Sequence, residues 1–306
     1  MPSRKNCQGP SRNWQPGIIR MIRMQGRTSF TYSLTPHLKN NNMKNDPITK
    51  APGRVVDITR EIHAPVEAVW KALTDAREME RWFPLHANIQ PGEAVELSWG
   101  DKVDWRMEIE EEKELDYLRL GYGQEHHSIV SPEPRRLAVE FFLEARGGST
   151  MLRIVHAGFG GGSNWDEMYD GVRRGWDTES LGLKHYLEFH AGKDRLVAFA
   201  KRKSARSHEE IWNILVENGL TVNGDSYAYT TPFGDRYEGA VAYFNPPQDF
   251  CGTIPGMNDA LFRLILDRYS PDADIVVWAW ISTYGIPEAE VKAMERQWQT
   301  KLDALL

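Results

Sequence analysis

Two cysteines in 306 residues, Cys7 and Cys251, exclude a disulfide framework and any cysteine-built metal site. Such sparing use fits a reduced, cytoplasmic setting. No apolar run approaches the roughly 18 residues needed to cross a bilayer, so membrane insertion is not expected. The familiar catalytic signatures are missing as well: there is no HExxH, no paired His–carboxylate cluster, no GxSxG elbow and no Cys–His pattern. His126 and His127 adjoin, so on a strand they face opposite sides and do not share a metal. The glycine run at 158–162 matches neither the dinucleotide fingerprint nor the Walker loop and reads as a flexible connection at a pocket mouth. Neither a metal nor a cofactor is expected. Acidic residues are absent from the first 42 positions, which carry seven Lys or Arg. The remaining 264 residues hold 30 basic and 43 acidic groups, a formal net of −13. An acidic body of that kind argues against a nucleic-acid partner. Residues 1–52 show no sustained period and end in Lys50-Ala51-Pro52-Gly53, a linker signal. They read as a disordered basic extension, with Met43 opening a more conventional N-terminus.

What the chain does have is aromatic mass: eleven Trp, eleven Tyr and eleven Phe. Large rings dominate core energetics and often line pockets. Strand patterns are clear after residue 53. Val95, Leu97 and Trp99 share one face, as do Trp105, Met107 and Ile109 against Asp104, Arg106, Glu108 and Glu110. Leu118, Leu120 and Tyr122 follow, then Leu137, Val139, Phe141 and Leu143 against Glu140 and Glu144, then Leu152, Ile154 and His156 against Arg153. Strands with one wet face form an antiparallel sheet that covers something on its dry side. The cover is a helix starting near Ser163, capped by Ser163 or Asn164, with Trp165, Met168, Tyr169, Val172, Trp176, Leu183 and Leu187 on one stripe. Gly192 is its expected stop.

A second pass begins near Arg195. Strands are expected at 196–201, 227–230, 236–244, 261–267 and 275–282, with 261–267 also compatible with a helix. A helix opens at Ser207-His208-Glu209-Glu210, and a last one from Pro287 carries Val291, Met294, Trp298, Leu302 and Leu305. The helix around Trp70 aligns with the one around Trp212, and Trp176 is echoed by Trp298. The pattern reads as a tandem duplication whose second copy has a smaller sheet. The expected organisation is an extension over 1–52, a first domain over 53–192 and a shorter second domain over 193–306.

Several pieces, in order, carry a family resemblance: Ile58-Thr59-Arg60-Glu61-Ile62 with Ala64-Pro65 and Val69-Trp70; Ala72-Leu73-Thr74-Asp75; Arg81-Trp82-Phe83; Pro134-Arg135-Arg136-Leu137; the run LRIVHAGF at 152–159; and Gly175-Trp176 with Leu183 and Tyr186-Leu187-Glu188. Residues 55–190 resemble the START-like superfamily, also called SRPBCC or the birch-pollen-allergen fold. The nearest branch is the bacterial one named after the C-terminal domain of the activator of the ninety-kilodalton heat-shock chaperone's ATPase. The resemblance implies an α+β helix-grip fold, an antiparallel sheet around a long C-terminal helix, with a cavity between them. Members bind lipids, sterols, polyketides or hormones, and some are cyclases. Chaperone activators also carry a separate N-terminal domain, which residues 1–52 do not resemble.

The expected function is binding of a small hydrophobic or amphipathic molecule, with no firm catalytic activity. Trp70, Trp82, Phe83, Trp99, Trp105, Met107, Tyr122, Phe141, Ile154, Tyr169 and Trp176 are the expected walls, and His156 and Glu179 the orienting polar groups. His156 reads either as a pocket-facing titratable group or as a hydrogen-bonded core histidine. Glu179 falls inside the apolar stripe, either as a carboxylate of raised pKa or as a group reaching water. Arg60 breaks its strand's apolar parity, to pair with Glu179, to hold an acidic ligand or to reach solvent at a strand end. Two alternatives stand beside the carrier: a cyclase, dehydratase or hydrolase using His156 with Glu179, and a chaperone-stimulating or protein-interaction module.

Overall fold

Alternating apolar residues build the first sheet, and the hydrogen-bond register lines them up in rows. Its elements are β1 (Arg54–Ile62), α1 (Val66–Thr74), α2 (Ala76–Glu80), β2 (His86–Gln90), β3 (Ala94–Ser98), β4 (Trp105–Lys113), β5 (Tyr117–Tyr122), β6 (Ala138–Arg146), β7 (Ser149–Phe159) and α3 (Asp166–Phe189). The seven strands are antiparallel in the order β1-β7-β6-β5-β4-β3-β2. One row runs Ile109, Leu120, Val139, His156, Val56, and the next Leu118, Phe141, Ile154, Ile58. Because side chains alternate along a strand, each row lies on one face, and that face meets α3. The computed structural model describes residues 53–100, 103–123, 136–217, 219–270 and 272–306, all within one compact unit, Asn45–Leu306. The basic extension with Met43 and Lys50-Ala51-Pro52, the His126-His127 pair and Pro134-Arg135 lie outside the described residues.

Helix α3 has no side-chain cap. A 3-10 turn, Ser163–Trp165, leads into it and Trp165 takes the cap position, so the expected Ser163 cap is not used; the side chain of Asn164 lies outside the described residues. Arg54 holds this end instead, pairing with Asp166 (2.6 Å) and donating to the Gly162 carbonyl (2.9 Å). The glycine connection is tight here: a β-carbon on Gly160 would lie 2.2 Å from the Trp165 indole nitrogen. The far end stops as expected, with Gly192 at φ +80°.

The second pass repeats the topology. It comprises β8 (Arg195–Ser204), α4 (His208–Trp212) continuing as a wide turn over Asn213–Glu217, β9 (Leu220–Asn223), β10 (Ser226–Thr230), β11 (Arg236–Asn245), β12 (Asp249–Ile254), β13 (Ala260–Asp267), β14 (Ile275–Tyr284) and α5 (Glu288–Leu305). The order β8-β14-β13-β12-β11-β10-β9 is that of the first sheet, strand for strand. The copy is shorter, but not by loss of sheet. It keeps seven strands and saves length in its helices and in the β12–β13 connection, and residues 260–267 form a strand. Ser207 caps α4 with the reciprocal Glu210 box. Trp298 of α5 is buried among Tyr229, Phe233 and Phe262.

Helix α3 is clasped twice. One face fills the first sheet, and the opposite face lies on the convex side of the second. Arg174, 3% exposed, pairs with Asp170 (2.8 Å), Asp249 (2.6 Å) and Asp267 (2.9 Å), the last two on β12 and β13. Glu179 pairs with Arg263 (2.8 Å). His185 and His190 both donate Nε2–H to the Asp259 carbonyl (2.6 and 3.1 Å). The Tyr284 hydroxyl donates to the Arg81 carbonyl (2.7 Å). Asp170 is shared with Arg173 (3.3 Å), Asp249 and Asp267 both face Arg174, and burial pushes Asp267 up to about 6. Removing Arg174 takes the ion-pair partner from Asp249, 1% exposed, and from Asp267, which costs about 3–5 kcal/mol. Arg174→Met is expected to lower stability by about that amount in urea unfolding at pH 7.5; a loss below about 1 kcal/mol rules out this cage as the seam's anchor.

Candidate aromatic cavity

Six rings close a circuit between the first sheet and α3. Phe83 meets Trp99 (5.5 Å between ring centres), Trp99 meets Trp105 (5.2 Å) and Trp105 meets Tyr122 (6.0 Å). Tyr122 stacks on His156 (5.4 Å), His156 meets Trp176 (6.3 Å) and Trp176 returns to Phe83 (5.9 Å). Strand alternation places Trp105 and Tyr122 here, and Phe83 arrives where α2 ends against α3. Edge-on and tilted contacts of this kind suit the ring quadrupoles.

The cavity at this circuit is lined by Leu73, Met79, Trp82, Phe83, Val95, Leu97, Trp105, Met107, Leu120, Tyr122, Val139, Phe141 and Trp176. Its volume is about 20 Å³, room for about one water molecule. The side chains themselves therefore fill most of the space expected for a guest. Of the expected walls, Trp82, Phe83, Trp105, Met107, Tyr122, Phe141 and Trp176 line it. Trp99 stands at the rim, half-buried. Trp70 and Ile154 belong to the surrounding core. Tyr169 lies apart, against Phe159 (5.4 Å) and under the Arg54 guanidinium (5.0 Å). The aliphatic liners Leu73, Met79, Val95, Leu97, Leu120 and Val139 carry no signal that separates them from ordinary core.

His156 is 2% exposed. The Trp176 indole N–H donates to its Nδ1 (3.0 Å). An indole nitrogen only donates, so Nδ1 is the acceptor and the proton of the neutral ring sits on Nε2. That Nε2–H is buried and has no partner. Burial pushes His156 down to about 3, so the ring stays neutral. The hydrogen-bonded core reading of His156 is the one the structure matches: the ring stays neutral, is held by Trp176 and is not among the residues lining the cavity, with Nε2–H left unpaired. Glu179 is corrected: its carboxylate, 20% exposed, is held by Arg263 of the second sheet and does not line the cavity. Arg60 does not pair with it either, but donates to Ser180 Oγ (3.0 and 3.2 Å) and the Asp177 carbonyl (3.3 Å). The acid–base pair expected for a cyclase is therefore split between two partners. Among the described residues no group of three or more His, Cys, Asp or Glu is arranged to hold a metal ion. Among the same residues no helix is long and apolar enough to cross a membrane.

A seven-stranded antiparallel sheet gripping a long C-terminal helix around an aromatic centre defines a START-like domain, and the repeated strand order makes the chain a tandem of two. Residues 63–188 match the family model described as activator of Hsp90 ATPase homolog 1-like protein, which supports a START-like superfamily fold for the first copy. No curated protein matches. Among solved structures, protein MLL2253 from Mesorhizobium loti is 25% identical, over 44% of this chain and 97% of its own, with a TM-score of 0.37. The Aha1 dimer from Colwellia psychrerythraea is 14% identical, over 45% and 99%, with a TM-score of 0.37. BexL, a di-domain ARO/CYC from the BE-7585A biosynthetic pathway, is 12% identical, over 82% and 95%, with a TM-score of 0.39.

The buried imidazole sets a pH signature. Its folded pKa lies below the unfolded value of 6.5, so the unfolded chain takes up a proton that the native state refuses, and stability falls as pH drops below 6.5. His156→Gln removes this titration. Wild type should lose up to about 1.4 kcal/mol per pH unit relative to the variant between pH 6.5 and 4.5, with no change above pH 7.5. Urea midpoints at pH 8, 6 and 5 measure it; a difference that does not move with pH refutes the buried neutral ring.

Proposed function

We propose that the first START-like domain, residues 53–192, binds a small hydrophobic or amphipathic molecule in the cytoplasm, and that residues 193–306 form a second START-like domain that braces the first. The observation that carries this reading is the closed aromatic circuit around a cavity whose polar neighbour, His156, keeps one N–H donor unused. Apolar burial supplies the affinity, at about 25 cal/mol per Å². The Nε2–H of His156 supplies orientation, which favours ligands with an oxygen acceptor at one end. At about 20 Å³ the cavity admits a guest only when rings move. Trp99 and Trp105, already half-buried at the rim, give up the least by swinging out.

The second reading is a protein-interaction or chaperone-stimulating role. Its support is the family match over residues 63–188 and the use of the second sheet as a scaffold along α3. A cyclase reading has less support, because Glu179 is spent on the seam.

The test uses the apolar dye N-phenyl-1-naphthylamine. Wild type should raise its fluorescence in a saturable way. Phe83→Ala, which clears one ring from the cavity, should bind about tenfold more tightly, equivalent to about 1.4 kcal/mol. Failure of both proteins to bind the dye, together with native mass spectra showing no co-purified small molecule, would sink the carrier reading and leave the interaction role.

A further inference from the structure

A second polar niche lies in the seam, away from the aromatic cavity. Arg195 begins β8 opposite Tyr284, and Arg263 lies on β13 opposite Trp280. Trp280, Ser282 and Tyr284 alternate onto the same face of β14, so both arginines stand on the convex side, with Ser282 between their partners. The Arg195 guanidinium lies over the Trp280 ring (5.5 Å), and its Nη2 donates to the carbonyls of Phe83 (3.3 Å) and Pro84. Arg263 gives Nη1 to Glu179 (2.8 Å). Helix α3 presses close: a β-carbon on Gly182 would lie 2.0 Å from Arg263 Nη2 and 3.5 Å from the Trp82 carbonyl.

These contacts occupy one nitrogen of each guanidinium. Nε and Nη1 of Arg195, and Nε and Nη2 of Arg263, are buried without a hydrogen-bond partner, as is Oε2 of Glu179. Arg263 is only 2% exposed. Glu179 could take one more donor by a small rotation, which still leaves most of them unmet. The charges do not balance either: two cations face one carboxylate. Glu80, the other carboxylate acting on Arg195, has a 38% exposed side chain and accepts from the Ala87 N–H. The neighbouring groups do not supply the missing negative charge. Burial pushes the Cys251 thiol up to about 11, and Tyr284 up to about 12, so both stay neutral. Each unmet buried donor is costly, and those on a charged group cost more. Guanidinium edges match anions well.

We propose that Arg195 and Arg263 form a binding site for a small singly charged anion, a halide or a short carboxylate such as formate, where the second sheet meets α3 and the Trp82–Pro84 segment. One negative charge balances the surplus, and its lone pairs accept the unused N–H donors. A doubly charged sulfate overshoots that balance. The site stands independently of the aromatic cavity and of what that cavity binds.

The experiment follows thermal unfolding of the full chain at constant ionic strength, with gluconate exchanged for chloride, formate or sulfate. Chloride or formate should raise Tm with the logarithm of its concentration, by about 5 °C at one hundred times Kd, while sulfate gives much less. Arg195→Lys and Arg263→Lys keep the charge, lose the planar edge and should flatten this response. Equal shifts for all anions amount to screening and overturn the site. Crystals of the wild type soaked in bromide give the second readout, free of any folding defect in a variant. An anomalous peak within hydrogen-bond distance of both guanidiniums confirms the site, and water at those nitrogens with no bromide overturns it.

Discussion

The two sheets are joined by one helix, α3, that has to satisfy both at once. Arg174, Thr178, Gly182 and His185 fall on one side of α3, and Val172, Trp176, Leu183 and Leu187 on the other, as the 3.6-residue period dictates. The inner side carries bulk, because a curved sheet leaves depth to fill. The outer side carries small residues and charges, because it lies flat on a second sheet that offers Asp249, Asp267 and Arg263. Charge in that position has to be paired. A helix end reaching water would not need three aspartates around one arginine.

Double burial also explains which parts could be read from residues alone. Strands β4, β6 and β7 were legible because much of one face meets water, so polar and apolar residues alternate. Strands β12, β13 and β14 are buried on both faces along most of their length, and their alternation disappears. That is why β12 passes unnoticed and why 261–267, read as a strand, is also compatible with a helix. Strands β2 and β9 escape for another reason: they are short edge strands with little buried surface. Parity put Trp105, Met107, Tyr122 and Phe141 on the dry face, and all four line the cavity. It could not separate Trp70 and Tyr169 from the lining, since ring size marks core and pocket alike. Glu179 was misplaced because its partner comes from a sheet some 80 residues later, and no local pattern announces it.

The cavity is small enough that energy decides its behaviour. A void of about 20 Å³ costs about 0.5 kcal/mol at 24 cal/mol per Å³, a minor defect in a core. Driving one Trp ring of about 200 Å² into water costs about 5 kcal/mol. The domain is therefore stable when shut, and a guest has to bring apolar area comparable to the ring it displaces. Trp99 and Trp105 forfeit less than Phe141 or Trp176, since part of their surface is already wet.

Helix α3 also joins the two sites mechanically. Trp176 and Arg174 sit two residues apart on opposite faces. Trp176 donates to His156 and so pins the helix to the first sheet inside the aromatic circuit. Arg174 pins the same turn to β12 and β13. A movement of this turn large enough to free Trp176 from His156 also pulls Arg174 out of its carboxylate cage, and neither bond is cheap to break in a buried setting. The second sheet thus stiffens the back wall of the cavity, formed by Trp176, far more than the rim formed by Trp99 and Trp105. Opening by the rim follows from that asymmetry: the back wall is shared property of both domains, and the rim belongs to the first sheet alone.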